Sequence, residues 1–255
     1  MSKGRSIPLS ELANLHGKPA EIQDRFLRKF VTPRAGKMPS YSLLKGSAAE
    51  ATDAVGGLLG SAGLGLIDDH ALLAELMRKA KGDAALVAFN WPSVLALREW
   101  RRTALDRAIH RQFADVPLVG GKRVKLVSDV IPVIKGRGYL VSFDPRRSNG
   151  LTASGMFVVQ SLMHHLLRDQ YPDLAELDLA VLQFPEIAET LSTKPLVQRR
   201  QVVMNCLGDR EPMSWSDLES GIRDTLAIFD AAVAAARRRA TRDPTGTEGG
   251  FPFTF

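Results

Sequence analysis

Residues 121–168 read GKRVKLVSDVIPVIKGRGYLVSFDPRRSNGLTASGMFVVQSLMHHLLR. The β-branched run from Val124 to Ile134 predicts a strand, and residues 139–143 resume the same pattern. Between them, Lys135-Gly136-Arg137-Gly138 supplies a turn. The stretch therefore predicts a β-hairpin, followed by an amphipathic helix over residues 155–168.

Two acidic residues are placed so that this hairpin brings them together. Asp129 and Asp144 are fifteen positions apart, and Gln160 follows sixteen positions later on the predicted helix. Neighbouring carboxylates repel each other unless a cation lies between them, and hard oxygen ligands favour Mg²⁺ or Mn²⁺. Such an ion can activate a water molecule and neutralise the charge that develops on a phosphodiester.

This ordered set resembles the PD-(D/E)XK nucleases, in particular the branch that includes the RecB nuclease domain. Asp129 matches the first acid of the family pattern, Asp144 the second acid, and Gln160 the helix glutamine. Arg146 occupies the usual Lys position, and His164 lies where Tyr is usual. The resemblance covers residues 95–230.

The resemblance implies a Mg²⁺- or Mn²⁺-dependent deoxyribonuclease in which Asp129 and Asp144 hold the ion and Gln160 orients the site. Relatives also carry a histidine on a preceding helix, which His110 matches, and an acid there, for which Glu99 is the candidate. Arg146 stays protonated, so it stabilises charge but cannot act as a base. Two readings remain open: an enzyme with altered chemistry, and a fold kept for binding DNA after catalysis was lost.

Each of these residues also has a simpler interpretation. Asp144 begins Asp-Pro-Arg-Arg-Ser-Asn-Gly, a good turn sequence in which Asp caps the following amides. Gln160 on an apolar helix is typical of a satisfied buried amide, and Glu99 is a natural partner for Arg102 or Arg98. Asp129 differs, because an acid inside an apolar strand is costly to bury without a partner.

The composition favours an anionic partner. The chain has 255 residues, a net charge of +6 and a pI near 9.6. A basic surface most often binds a nucleic-acid backbone, although a solvated arginine-rich surface is the alternative. The residues predicted to contact DNA are Lys122, Arg123, Lys135, Arg137 and Arg147.

The single cysteine, Cys206, excludes an internal disulfide and any all-cysteine zinc or iron–sulfur site. The sequence begins without an apolar signal core, and no apolar run reaches membrane length. We therefore expect a cytoplasmic protein that does not bind a membrane.

The order of elements predicts an α/β fold with a mixed central β-sheet flanked by helices, resembling the restriction-endonuclease core. We divide the chain into a helical N-terminal region (1–90), the core (91–239) and a flexible tail (240–255). One clear helix is predicted over residues 69–80, and a stronger one over 94–113. The Gly- and Ala-rich segment 48–69 lacks the ending of a phosphate-binding loop.

Three functional hypotheses follow. The first is a metal-dependent DNA nuclease, or a nuclease-derived subunit, in DNA processing, defence or mobile-element biology. The second is an inactive DNA-binding or assembly protein with the same fold. The third is a protein-interaction adaptor that contacts its partner through the N-terminal region or the aromatic tail Phe251-Pro-Phe-Thr-Phe.

Overall fold

The structure is a computed structural model that describes residues 7–32, 40–56, 68–118, 121, 123–146, 150–187 and 199–242. Its helices are α1 (Leu9–Leu15), α2 (Ala20–Val31), α3 (Ser42–Gly46), α4 (Ala48–Ala51), α5 (Asp69–Lys79), α6 (Ala84–Thr103), α7 (Ala153–Gln170) and α8 (Trp215–Arg242). Its strands are β1 (Val55–Gly56), β2 (Arg107–His110), β3 (Val116–Pro117), β4 (Arg123–Val124), β5 (Val130–Ile134), β6 (Arg137–Asp144), β7 (Asp178–Gln183) and β8 (Val203–Cys206).

Six of these strands form one mixed sheet in the order β1-β2-β5-β6-β7-β8. Strands β1 and β2 are parallel, and so are β6 and β7, whereas the other neighbours are antiparallel. Helix α7 connects β6 to β7, as a parallel pair requires. Strands β3 and β4 form a separate two-stranded sheet.

Helices cover both faces of the sheet. Along β7, Leu179 and Val181 join one buried cluster while Ala180 and Leu182 join another, because successive side chains of a strand point to opposite faces. We name each cluster by one of the helices that contribute to it. The α7 core lies between the sheet and helices α1, α2, α7 and α8, and the α6 core lies between the sheet and helices α3 to α6. The predicted fold class, a mixed sheet flanked by helices, is confirmed.

Local signals explain where several elements begin. Four helices have side-chain caps: Asp68 accepts from the Ala71 amide, Asp83 from the Leu86 amide, Thr152 from the Gly155 amide, and Ser214 from the Asp217 amide. They belong to α5, α6, α7 and α8, of which α5 and α7 agree closely with the helices predicted over 69–80 and 155–168.

The hairpin forms as predicted, with a tighter turn than expected. Ile134 pairs with Arg137, so only Lys135 and Gly136 lie in the turn. Their φ angles are 50° and 77°, and positive values at both positions define the hairpin turn whose twist matches the strands. Its first strand is shorter than predicted, since β5 begins at Val130 and residues 123–124 pair with β3 instead.

The helix predicted over residues 94–113 is wrong in its second half. Helix α6 ends at Thr103, and residues 107–110 form β2, which pairs with residues 130–133 of β5. Asp106 fixes this change of direction, because its amide donates to the Val133 carbonyl and its carboxylate accepts from the Gly136 amide at 2.8 Å. Pairing along the hairpin therefore outweighs the local helical pattern.

The predicted boundary near residue 90 lies inside α6. Both cores draw on residues from either side of it, as Leu27 and Val159 do in the α7 core. The division into a region 1–90 and a core 91–239 stays a prediction. The tail from residue 243 onward lies outside the described residues, and α8 extends to Arg242. No helix in the described part of the chain has the length and apolarity that crossing a bilayer demands.

Candidate functional site

The Asp144 carboxylate ends β6 and is the most deeply buried charge of the predicted site, with 2% of its side chain exposed. One oxygen, Oδ1, accepts from Arg146 Nε at 2.7 Å. The other accepts from the Leu151 amide and, at 3.4 Å, from Gln183 Nε2. Asp144 therefore holds Arg146 and the Leu151 amide beside the end of β6, in agreement with its simpler interpretation as a residue that caps the amides following it.

Arg146 joins the sheet to the first helix. Its Nη1 donates to Glu11 Oε1 at 3.0 Å while its Nε holds Asp144. Glu11 belongs to α1, and both side chains are largely buried, at 16% and 18% exposed. A guanidinium presents donors in a planar fork, which suits simultaneous contact with two carboxylates. Arg146 thus forms an internal ionic link between α1 and β6.

Asp129 is also fully engaged. Its Oδ1 accepts from the Phe113 amide at 2.9 Å, and its Oδ2 binds Lys125 Nζ at 2.5 Å. Its carbonyl accepts from the Arg111 amide at 3.0 Å. Asp129 lies in the bend just before β5, where it holds residues 111–113 beside the hairpin.

Lys45 of α3 interacts electrostatically with Lys125, the partner of Asp129, and with Asp144. Desolvation by neighbouring protein groups lowers the pKa of Lys45, the Lys125 charge lowers it further, and Asp144 acts in the opposite direction. Part of the Lys45 side chain remains exposed to solvent. Three acids and three bases thus form one cluster, which we name the ionic cluster: Glu11, Asp129, Asp144, Lys45, Lys125 and Arg146.

Gln160 is fully buried on α7 and reaches the same region through a chain of amides. Its Nε2 donates to the Asn205 carbonyl at 2.6 Å, while its Oε1 has no partner among the described residues. Asn205 Nδ2 donates to Gln183 Oε1 at 3.4 Å, and Gln183 in turn contacts Asp144. The structure therefore connects Gln160 to Asp144 across β7 and β8.

The two residues proposed from the helix before the hairpin are not part of this cluster. His110 lies on strand β2, not on a helix, and pairs there with Val130. Glu99 is on α6 with 66% of its side chain exposed and lies 3.9 Å from Arg102, the partner that the simpler interpretation gave it. Within the described ranges, no three His, Cys, Asp or Glu side chains are grouped to hold a metal ion.

The structure describes three of the five residues predicted to contact DNA. Lys135 and Arg137 are exposed at the hairpin turn, and Arg123 donates from Nη2 to the Asp115 carbonyl at 2.5 Å. Lys122 and Arg147 lie outside the described residues. Arg98, the other partner suggested for Glu99, is instead buried and paired with Asp69 at 2.6 Å.

Several residues of the ionic cluster, and of the amide chain that leads to it, are only weakly indicated by the sequence. Lys125 precedes Asp129 by four residues, a spacing that suggests contact only on a helix, and here the two meet across a bend. Glu11 and Lys45 are distant along the chain and reach the cluster through packing of α1 and α3. Gln183 and Asn205 interrupt otherwise apolar strand patterns, which is a usable signal for a buried polar network.

Chemically, the ionic cluster is paired within the chain. Its formal charges balance, and the Asp129 and Asp144 oxygens accept from groups of the chain itself. Such an arrangement fixes α1, the Leu151 backbone and residues 111–113 against the sheet. Metal binding by Asp129 and Asp144, and the resemblance that implied it, stay predictions.

Comparison with known proteins supports a function other than the predicted nuclease activity. The family model described as "Sliding clamp-binding bacterial toxin SocB" matches residues 10–240. No curated protein matches the chain. The match corrects the description of the chain as a magnesium-dependent nuclease and hydrolase, because the family is described by toxicity and by binding to a protein. The third hypothesis, a protein-interaction role, is closest to this finding, and the supported partner is a protein rather than DNA.

Proposed function

Because the chain belongs to the SocB family of sliding clamp-binding bacterial toxins, we propose that it is a toxin that acts by binding a bacterial sliding clamp. The extent of the match carries the proposal. Residues 10–240 include helices α2 to α7, most of α1 and α8, and every described strand of the sheet, so the relationship concerns the whole described fold.

The ionic cluster supports a binding role. Its carboxylates are neutralised within the chain, and its bonds join elements that are far apart in sequence, such as Glu11 and Arg146. A cluster of this kind holds a surface in one arrangement before a partner arrives, and preorganisation reduces the entropy that binding would otherwise cost. In this proposal the toxic event is occupancy of the clamp.

The charge of the chain also supports a protein partner with an acidic surface. A net charge of +6 favours encounter with a negatively charged partner and accelerates association at low ionic strength. Because the clamp works on the chromosome, the proposal implies action in the cytoplasm.

The direct test is a binding measurement between the purified chain and the purified sliding clamp of the organism that encodes it. We expect saturable binding by calorimetry, with a stoichiometry set by the clamp protomer. Duplex DNA and an unrelated acidic protein of similar charge serve as controls for attraction by charge alone. Failure of the folded chain to bind the clamp would refute the proposal.

A cellular experiment tests the toxic consequence. Induced expression should stop bacterial growth and DNA synthesis, and additional clamp protein should restore both, because it titrates the toxin. Growth arrest that extra clamp does not relieve would show that another target accounts for the toxicity.

A further inference from the structure

The outer face of α2 carries an apolar stripe that nothing in the described part of the chain covers. Ile22 and Phe26 are 45% and 38% exposed, and they are two of the three large apolar side chains that are exposed among the described residues. They are four positions apart, so they lie one turn above each other on the same face of the helix. Isolated exposed apolar residues are ordinary, whereas contiguous exposed apolar patches mark contact surfaces.

This stripe is held rigidly by the core beneath it. The Phe26 ring stacks on Phe30 with centroids 6.2 Å apart and planes inclined by 14°. Phe30 in turn contacts the buried Phe229 of α8 at 6.5 Å. The opposite face of α2 is fixed by Leu27 and Val31, which are buried in the α7 core. An aromatic side chain that is already fixed loses little entropy when a partner covers it.

The border of the stripe is mainly basic. Lys18, Arg25 and Lys29 are exposed beside it, against one exposed acid, Glu21. The remaining charges of the helix, Asp24 and Arg28, pair with each other at 2.6 Å. The surface therefore complements an apolar groove with an acidic border.

We propose that this face of α2 is the surface that binds the sliding clamp, with Ile22 and Phe26 inserted into an apolar groove of the clamp and Arg25 and Lys29 facing acidic residues at its border. The inference rests on the proposed function and adds the location of the contact. Helices that present residues at i and i+4 to a groove are a common mode of protein recognition.

The test is clamp binding by Ile22→Ala and Phe26→Ala, alone and combined. Central apolar anchors typically account for much of an interface, so each single variant should bind at least about tenfold more weakly. Because both side chains are exposed, the variants should keep the circular dichroism and unfolding midpoint of the parent chain. Unchanged clamp affinity in the folded double variant would overturn the proposal.

Ile187→Ala is the matched control, since Ile187 is 42% exposed and lies after β7, away from α2 in sequence. It should bind the clamp as the parent does. If the parent chain binds and all three apolar variants bind equally well, the contact lies elsewhere and the proposed function stands. If the parent chain does not bind, the proposed function itself fails.

Charge reversal tests the border separately. Arg25→Glu with Lys29→Glu should slow association with the clamp and weaken its dependence on salt, while the dissociation rate changes little. Association that is as fast and as salt-dependent as that of the parent would exclude an acidic border on the partner.

Discussion

At the scale of single residues, Asp144 is expected to contribute most to stability within the ionic cluster. Asp144→Asn removes the charge that Arg146 and the Leu151 amide bind, and leaves the guanidinium with Glu11 alone. Breaking a buried, hydrogen-bonded ion pair leaves a poorly compensated charge. We expect a loss of about 2–4 kcal/mol in the free energy of unfolding, measured with urea.

Glu219→Gln is the control for that change, because it also removes one carboxylate from an arginine pair. Glu219 binds Arg223 at 2.7 Å on the surface of α8, where 66% of the Arg223 side chain is exposed. Surface pairs of this type contribute about 0.5 kcal/mol or less. Equal effects of the two substitutions would show that burial does not strengthen the Asp144 contacts.

Cys206 gives a prediction on pH. Partial burial in β8 raises the pKa of the thiol, and the negative charge of Asp178 raises it further. The thiolate is the reactive form, so modification by a disulfide reagent at neutral pH should be slower than for an unfolded control. The rate should rise as the pH approaches the raised pKa, and Asp178→Asn should increase the rate at neutral pH. A native rate equal to that of the unfolded chain would contradict this.

The sequence predicts some residues of the site and not their partners, for a physical reason. The hairpin is local, so the proximity of the strand segments that carry Asp129 and Asp144 follows from residues 124–143. Their partners depend on chain packing: Glu11 comes from α1, Lys45 from α3, and the Phe113 amide from the segment after β2. Residue type and spacing do not show which residues, distant along the chain, become neighbours in the fold.

At the scale of elements, the hairpin turn is the most specific local requirement. Gly136 has a φ of 77°, a conformation that costs a residue with a Cβ about 1–2 kcal/mol. Gly136→Ala should lower the free energy of unfolding by that amount. Gly46→Ala is the control, because Gly46 lies in α3 and a Cβ there meets no atom within 4 Å. It should leave stability unchanged or raise it by about 0.5 kcal/mol.

The two strands that sequence patterns did not predict are informative in the same way. Residues 104–110 continue the apolar spacing of α6, yet they form β2 because β5 offers a full antiparallel edge. Strand β1 is only two residues long and follows α4 in a Gly- and Ala-rich segment, so no local pattern marks it. In contrast, α5 and α7 have a cap and a helical period that agree, and both were predicted.

At the scale of the whole molecule, the sheet couples the two cores. Alternate residues of β6 and β7 belong to opposite cores, as Leu140 and Val141 show, so neither core can open without exposing the back of the other. The α7 core joins Leu27 of α2 to residues of α7 and α8, and the α6 core joins α3 to the same strands. This coupling predicts that the described fold unfolds in one cooperative step.

The three tryptophans report on the two cores separately. Trp91 and Trp100 pack against the α6 core, whereas Trp215 packs against the α7 core. Trp215→Phe therefore leaves reporters of the α6 core only, and the double variant Trp91→Phe with Trp100→Phe leaves a reporter of the α7 core. In each variant, we expect the urea midpoint measured by tryptophan fluorescence to coincide with the midpoint measured by circular dichroism.

Substitutions in each core also test whether the two cores unfold together. Leu27→Ala in the α7 core and Leu97→Ala in the α6 core each remove a side chain with 0% exposure, which costs about 2–5 kcal/mol. In a coupled fold, either change lowers the midpoint seen by both sets of tryptophans. If Leu27→Ala moved only the Trp215 transition, the cores would unfold independently. A clamp-binding surface on α2 would then be anchored by the α7 core alone, because Leu27 and Val31 belong to that core.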